Sequence, residues 1–284
     1  MTNYEITKAE IISLYGVIDS ENFNAREACE KRIVYLKNYL RSTGRKGFVL
    51  GISGGVDSLT AGKLAQIACE QLRNENYNAH FYAVRLPAGI QHDESDALEA
   101  LKFINPDKTI TINIGNSSNI INNACLEALE NIGASLTDKE SDYHKGNIKA
   151  RMRMIAQYHL AGSMELLVIG TDHFGEKIAA FWTRGGDEVS DILVLNGLNK
   201  RQVRLCAKNL GAPERLWNKS PTADLEELNP GKVDDEGFGY PYEAQNDFLE
   251  GKEIDPEIER KIIDKYEATR YRRSPSVEFS EYNK

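Results

Sequence analysis

The 284-residue sequence has little cysteine, no excess of basic charge and no long apolar run. Its four cysteines, Cys29, Cys69, Cys125 and Cys206, are scattered, without a CxxC pair or a histidine at ligand spacing. That pattern excludes a zinc knot and a disulfide framework and points to a reducing compartment. All four are expected to be small buried hydrophobes on helices. With 35 Lys+Arg against 43 Asp+Glu, the net charge of −8 excludes the basic surface of a sequence-independent nucleic-acid binder. No stretch approaches the apolar length of a membrane span. The opening MTNYEITKAEIISLYG lacks a basic start, an apolar core and a small-residue cleavage site. Neither nucleic acid nor membrane is an expected partner, and the cytoplasm is the expected location.

What is present is an alternation of buried strands and amphipathic helices. Apolar runs at 48–52, 80–84, 109–114, 166–169 and 192–195 read as parallel strands, and helical periodicity covers 26–40, 59–72, 95–103, 148–159 and 200–210. The pattern predicts an α/β fold, a doubly wound, mostly parallel five-stranded sheet flanked by helices, with 1–284 as one domain. Ligands then belong at the strand carboxyl ends, on the loops near Ser53, Arg85, Thr171 and Asn196. The stretch Thr222 to Gly239, rich in Gly, Pro, Asp and Glu, reads as a mobile surface connection or a lid. The tail from Pro256 is helical and then basic at Arg270, Arg272 and Arg273.

The run Gly51-Ile52-Ser53-Gly54-Gly55-Val56-Asp57-Ser58 joins a buried strand to a helix start. Adjacent glycines let the backbone approach an anion, and free N–H groups at the helix start point at it. Ser53 and Ser58 add hydroxyls. Asp57 is the informative residue, because a carboxylate beside a phosphate turn is repulsive unless a cation such as Mg²⁺ stands between them. A Walker loop is excluded, since six residues separate Gly55 from Gly62, more than that motif allows, and Leu64 replaces its Ser or Thr.

SGGVDS resembles the SGGxDS signature of the ATP pyrophosphatases, which split ATP into AMP and pyrophosphate, and the fold this implies is adenine nucleotide alpha hydrolase-like. Longer blocks, AVRLPAGIQHDESDA from Ala83, KGNIKARMRMIAQY from Lys145, VIGTDHFGE from Val168, LNKRQV from Leu198, SPTADLE from Ser220 and DFLEGK from Asp247, are similar in order and spacing to ammonia-dependent NAD synthetases. The resemblance implies Mg²⁺ on Asp57 and Glu176. It also implies ATP contacts from Thr171, Lys200 and Thr222, with Arg85 and Gln91 lining the nucleotide pocket. Asp187 matches the carboxylate associated with ammonia, and Asp57, Asp187 and Lys200 become the expected catalytic residues. The acid, nicotinate adenine dinucleotide (deamido-NAD), would meet Lys145, Arg184, Asp191, Tyr271 and Arg272. Family members are homodimers, and the helix at 26–40 with Tyr35 and Tyr39 matches an interface helix. No glutaminase domain is expected, so free ammonia is the implied nitrogen donor.

Departures fall on the acid side. Arg184 stands where lysine is common, Lys145 where arginine is usual, and Tyr271-Arg272 where His-Lys is usual. Glu188 and Val189 replace a glycine pair, which implies a changed backbone shape. The acid could therefore be a different carboxylate such as nicotinate mononucleotide, and a non-catalytic nucleotide-binding protein is a third reading.

Overall fold

The computed structural model describes residues 6–89, 94–219, 222–223, 226–228, 232–274 and 276. Helix α1 (Lys8–Tyr15) begins on a capping box of Thr7 and Glu10, and α2 (Ala25–Thr43) on the Asn24 cap, ending at Gly44 in the left-handed region. Strand β1 (Gly47–Gly51) runs into α3 (Val56–Asn74), followed by β2 (His80–Arg85), α4 (Glu94–Ile104), β3 (Lys108–Thr111) and α5 (Gly115–Asn131). Next come the 27-residue α6 (Asp138–Met164), β4 (Leu167–Gly170), α7 (Phe174–Ala179), β5 (Ile192–Leu193), α8 (Lys200–Asn209) and α9 (Glu214–Trp217). The chain then forms β6 (Thr222–Ala223), β7 (Lys232–Val233), α10 (Asp234–Phe238), α11 (Tyr242–Leu249), α12 (Pro256–Ala268) and α13 (Arg270–Arg273).

Five strands pair in parallel in the order β3-β2-β1-β4-β5. This is the expected doubly wound sheet; its inner strands β1 and β4 are buried on both faces, while the edge strand β3 is largely exposed. Phe48, Leu50, Phe81 and Ala83 pack with Leu59, Leu64 and Leu72 of α3, while Val49, Val84 and Val168 point to the α6 side with Ala161 and Leu166. Each large side chain fully buried there contributes about 1.5–3 kcal/mol. A further cluster, Ile178, Phe238, Tyr242, Phe248, Ile262 and Tyr266, joins α7 to α10, α11 and α12 beside the strand ends. The sheet winds outward from β1 through β2 to β3 and, on the other side, from β4 to β5. The crevice between the carboxyl ends of β1 and β4 is thus the topological switch point.

Several expectations need correction. α6 runs from Asp138 rather than Ile148, because Thr137 and Glu140 form a capping box well upstream of the apolar signal. α5 was not expected. Its buried residues are polar, Ser118 and Asn122, while Ile120 and Ile121 are exposed, so no inward apolar stripe marks it. Strands β3 and β5 are shorter than their apolar runs. Cys29, Cys69 and Cys206 are buried on helices, but Cys125 on α5 is exposed. The segment expected as a plain connection carries the antiparallel pair of β6 and β7 and the short α10.

Candidate active site

The phosphate-loop residues lie at the switch point. Gly54 has φ +94°, and a Cβ there would come within 2.8 Å of the Ala97 nitrogen, so the loop needs glycine at that position. Ser53 Oγ accepts the Gly55 N–H at 3.2 Å, and Ser58 Oγ donates to the Gly55 carbonyl at 3.1 Å, which closes the turn. The cap of α3 is Gly55, with no side chain to satisfy the first N–H groups, so they remain available to an anion. Gln157 of α6 holds the strand end by accepting the Gly51 N–H at 2.7 Å.

Beside the loop, the chain brings charged groups from three elements together. Lys200, first residue of α8 and 2% exposed, donates from Nζ to Asp57 Oδ2 at 2.6 Å and stands 5.4 Å above the ring of Tyr242. Burial pushes the Asp57 carboxyl up, but the Lys200 ammonium, joined by His173 and Arg204, holds Asp57 below the usual carboxylate range. Asp57 Oδ1 is buried and has no hydrogen-bond partner. One oxygen each from Asp57 and Glu176, together with a ring nitrogen of His173, lie within 4.8 Å of one another. An orphaned carboxylate oxygen facing a second carboxylate fits a hard divalent cation such as Mg²⁺. His173 is fully buried. Burial, helped by Lys200, pushes its imidazole down to about 3, so it is neutral.

A cavity of about 800 Å³ runs from Ser53, Asp57 and Thr171 past Glu176 and Lys200 to Trp182, Asp187 and Arg272. At its far end Asp187 faces the cavity, and its Oδ1 accepts the Thr183 N–H at 2.8 Å. Burial raises Asp187, against the pull of the Thr183 bond and of Arg153 and Arg272. Burial, Asp187 and Glu188 push Asp172, 8% exposed, up to about 7. Glu188 is raised too, by burial and by Asp187. Arg272 donates to the Trp182 carbonyl, and Arg184 Nη1 to the Tyr271 carbonyl at 3.3 Å, so the basic tail meets the 183–191 turn.

The cavity lining therefore gathers Gly51, Ile52, Ser53, Gly55, Val56, Asp57, Ser58, Thr171, Glu176, Asp187, Lys200 and Arg272 of the sequence-predicted set. Gly54 braces the loop from behind. Arg85, Lys145, Asp191, Arg184 and Tyr271 stay outside the lining. Arg85 Nη2 reaches Glu94 at 2.7 Å, Lys145 reaches Glu227 at 2.9 Å, and Asp191 Oδ2 accepts the Val168 N–H at 2.7 Å, a pin on β4. Gln91 and the side chain of Thr222 lie outside the described residues. Glu188 and Val189, which stand where a glycine pair is usual, sit in ordinary backbone: neither has a positive φ, and Glu188 Oε1 accepts the Gly185 N–H at 3.1 Å. Sequence reasoning missed His173, Asp172, Trp182 and Tyr242. The three-residue spacing of His173 and Glu176, a helix-start signature, was the available signal.

A phosphate turn, a paired carboxylate site and a buried lysine at the switch point of a parallel sheet define a nucleotide-phosphate-handling α/β enzyme. The NAD synthase family model matches residues 28–276, and the chain belongs to that family. It is 50% identical over 256 residues to the NH(3)-dependent NAD(+) synthetase of Paraburkholderia phytofirmans, covering 90% of this chain and 88% of that protein. Identity to that of Bacillus licheniformis is 47% over 258 residues, covering 90% and 92%. Among solved structures, NAD+ synthetase from Burkholderia pseudomallei superposes with TM-score 0.80 at 44% identity, over 94% of this chain and 95% of the other. NMN synthetase from Francisella tularensis gives 0.75 at 29%, over 90% and 99%.

Proposed function

We propose that the protein is an ammonia-dependent, AMP-forming ligase that amidates deamido-NAD to NAD. The carboxylate of the acid attacks the α-phosphorus of ATP, pyrophosphate leaves, and ammonia then displaces AMP from the acyl-adenylate. The observation that carries this reading is the single cavity joining the glycine turn and Lys200 to Asp187, so that both half-reactions share one chamber. Backbone N–H groups at the start of α3 and the Lys200 ammonium suit the triphosphate. Asp57 and Glu176 would hold Mg²⁺, which when bound neutralises phosphate charge. Asp187, raised by burial, suits accepting a proton from the incoming ammonium. Relatives near 50% identity over nine-tenths of the chain carry the NAD(+) synthetase name.

The match to an NMN synthetase, together with the departures at Arg184, Lys145 and Tyr271, supports a second reading in which the acid is nicotinate mononucleotide. Incubation with ATP, Mg²⁺ and ammonium, following AMP release with each acid, separates the two. Turnover of the mononucleotide without turnover of deamido-NAD would remove the first reading.

The chain works in the cytoplasm as a homodimer. Apolar side chains exposed on α5 and α6, Ile120, Ile121 and Ile155, and on α2, Val34 and Tyr35, support that assembly. Light scattering checks it: Ile121→Glu should shift the protein towards monomer if α5 lies at the interface. No described helix is long and apolar enough to cross a membrane.

A further inference from the structure

His173 sits among the groups that would hold the cation, and the obvious reading makes it a third ligand. Its hydrogen bonding argues otherwise. Nδ1 accepts the Gly175 N–H at 3.1 Å, because His173 is the cap of α7 and its ring satisfies an orphan donor of that helix. Gly175 makes this approach possible: a Cβ there would lie 2.9 Å from His173 Cε1 and 2.7 Å from Gln245 Oε1. A neutral imidazole has one pyridine-type lone pair. Here Nδ1 spends it on the helix, so Nε2 carries the hydrogen.

That N–H is 3.3 Å from the Tyr242 hydroxyl oxygen and 3.8 Å from both Asp57 Oδ1 and Glu176 Oε2. We infer that His173 is a positioning residue for the metal-holding carboxylates and not itself a ligand, its Nε2–H directed at the edge of the site between Asp57 and Glu176. The cation shell supplied by the chain is then oxygen only, which favours Mg²⁺ and Mn²⁺ over Zn²⁺. Tyr242 serves twice, its hydroxyl accepting from His173 and its ring lying under the Lys200 ammonium. The role of His173 rests on the proposed metal site and deepens it.

Two measurements test it on the whole protein. In ¹⁵N NMR of the histidine rings, His173 should show the Nε2–H tautomer and keep it when Mg²⁺ and an ATP analogue with a methylene between the α and β phosphorus atoms are added. Loss of the Nε2 proton on metal addition overturns the assignment. With Mn²⁺ and the same analogue, pulsed EPR should show no directly bound imidazole nitrogen. Detecting one overturns the positioning role but leaves the metal site standing, whereas absence of bound Mn²⁺ removes both. His173→Asn keeps a cap acceptor for α7 and loses the ring N–H, and should weaken Mn²⁺ by about 10-fold. An affinity unchanged in a folded variant overturns the role, and the two spectra of the unmutated protein decide the matter even if the variant fails to fold.

Discussion

The two ends of the cavity handle charge in opposite ways. At the phosphate end, Asp57 is answered by Lys200 at 2.6 Å, and the carboxyl is held below its usual range. At the Asp187 end, burial raises Asp172, Asp187 and Glu188 alike, and the charge of Asp187 adds to the rise of Asp172 and Glu188. One end has its charge balanced before any ligand arrives; at the other, burial drives the carboxyls towards their neutral form. On the proposed reading, the balanced end gives a triphosphate a fixed frame of donors and the buried carboxyls give ammonium a proton-accepting corner.

Breaking the balanced end should have the largest effect. Asp57→Ala removes the partner of a buried ammonium and one metal carboxylate, and AMP formation should fall by about 10³-fold or more, measured as acid-dependent AMP release. Retention of even a tenth of the activity would contradict the role assigned to Asp57. Asp187→Asn strikes the other end. Amide formation should drop by about 10²-fold while ATP–pyrophosphate exchange with the acid persists, because adenylation does not need ammonia. Equal loss of both reactions would show that the two ends are not separable.

A subtler test concerns stability. Asp172 is raised from its ordinary value of 3.8 to about 7, so the folded protein binds this proton more tightly than the unfolded chain. Its contribution is fully present below pH of about 4 and is lost as pH rises through about 7. Asp172→Asn should therefore raise the melting temperature at pH 8 and leave a flatter stability profile between pH of about 4 and 7, followed by thermal unfolding. A melting temperature equally raised at pH 4 would point to packing and not to charge. Smallest of all should be Glu188→Gly. The backbone there is ordinary, so turnover of deamido-NAD should change by less than about 3-fold, with stability lowered by about 1 kcal/mol through chain entropy.

The same contrast explains how much was legible in the sequence. The β1–loop–α3 unit is local: a buried strand, a glycine turn and a helix start lie within one short run, and each leaves its own residue signal. The parallel sheet was legible for the same reason, from continuous apolar runs. α5 was not, because it buries Ser118 and Asn122 and turns isoleucines outward, an inversion of the usual stripe. Nor was the role of His173, whose partners come from α3, α7 and α11 and meet only in three dimensions. Arg85, Lys145 and Asp191 show the converse. Their residue types suit ligand contact, but Glu94, Glu227 and the β4 backbone already hold them.

Lys200 and Asp57 stand 143 residues apart in the chain. The pairing thus ties the glycine turn that follows β1 to a side chain that enters the fold only with α8, so this end of the cavity is complete only when both flanks of the sheet are in place.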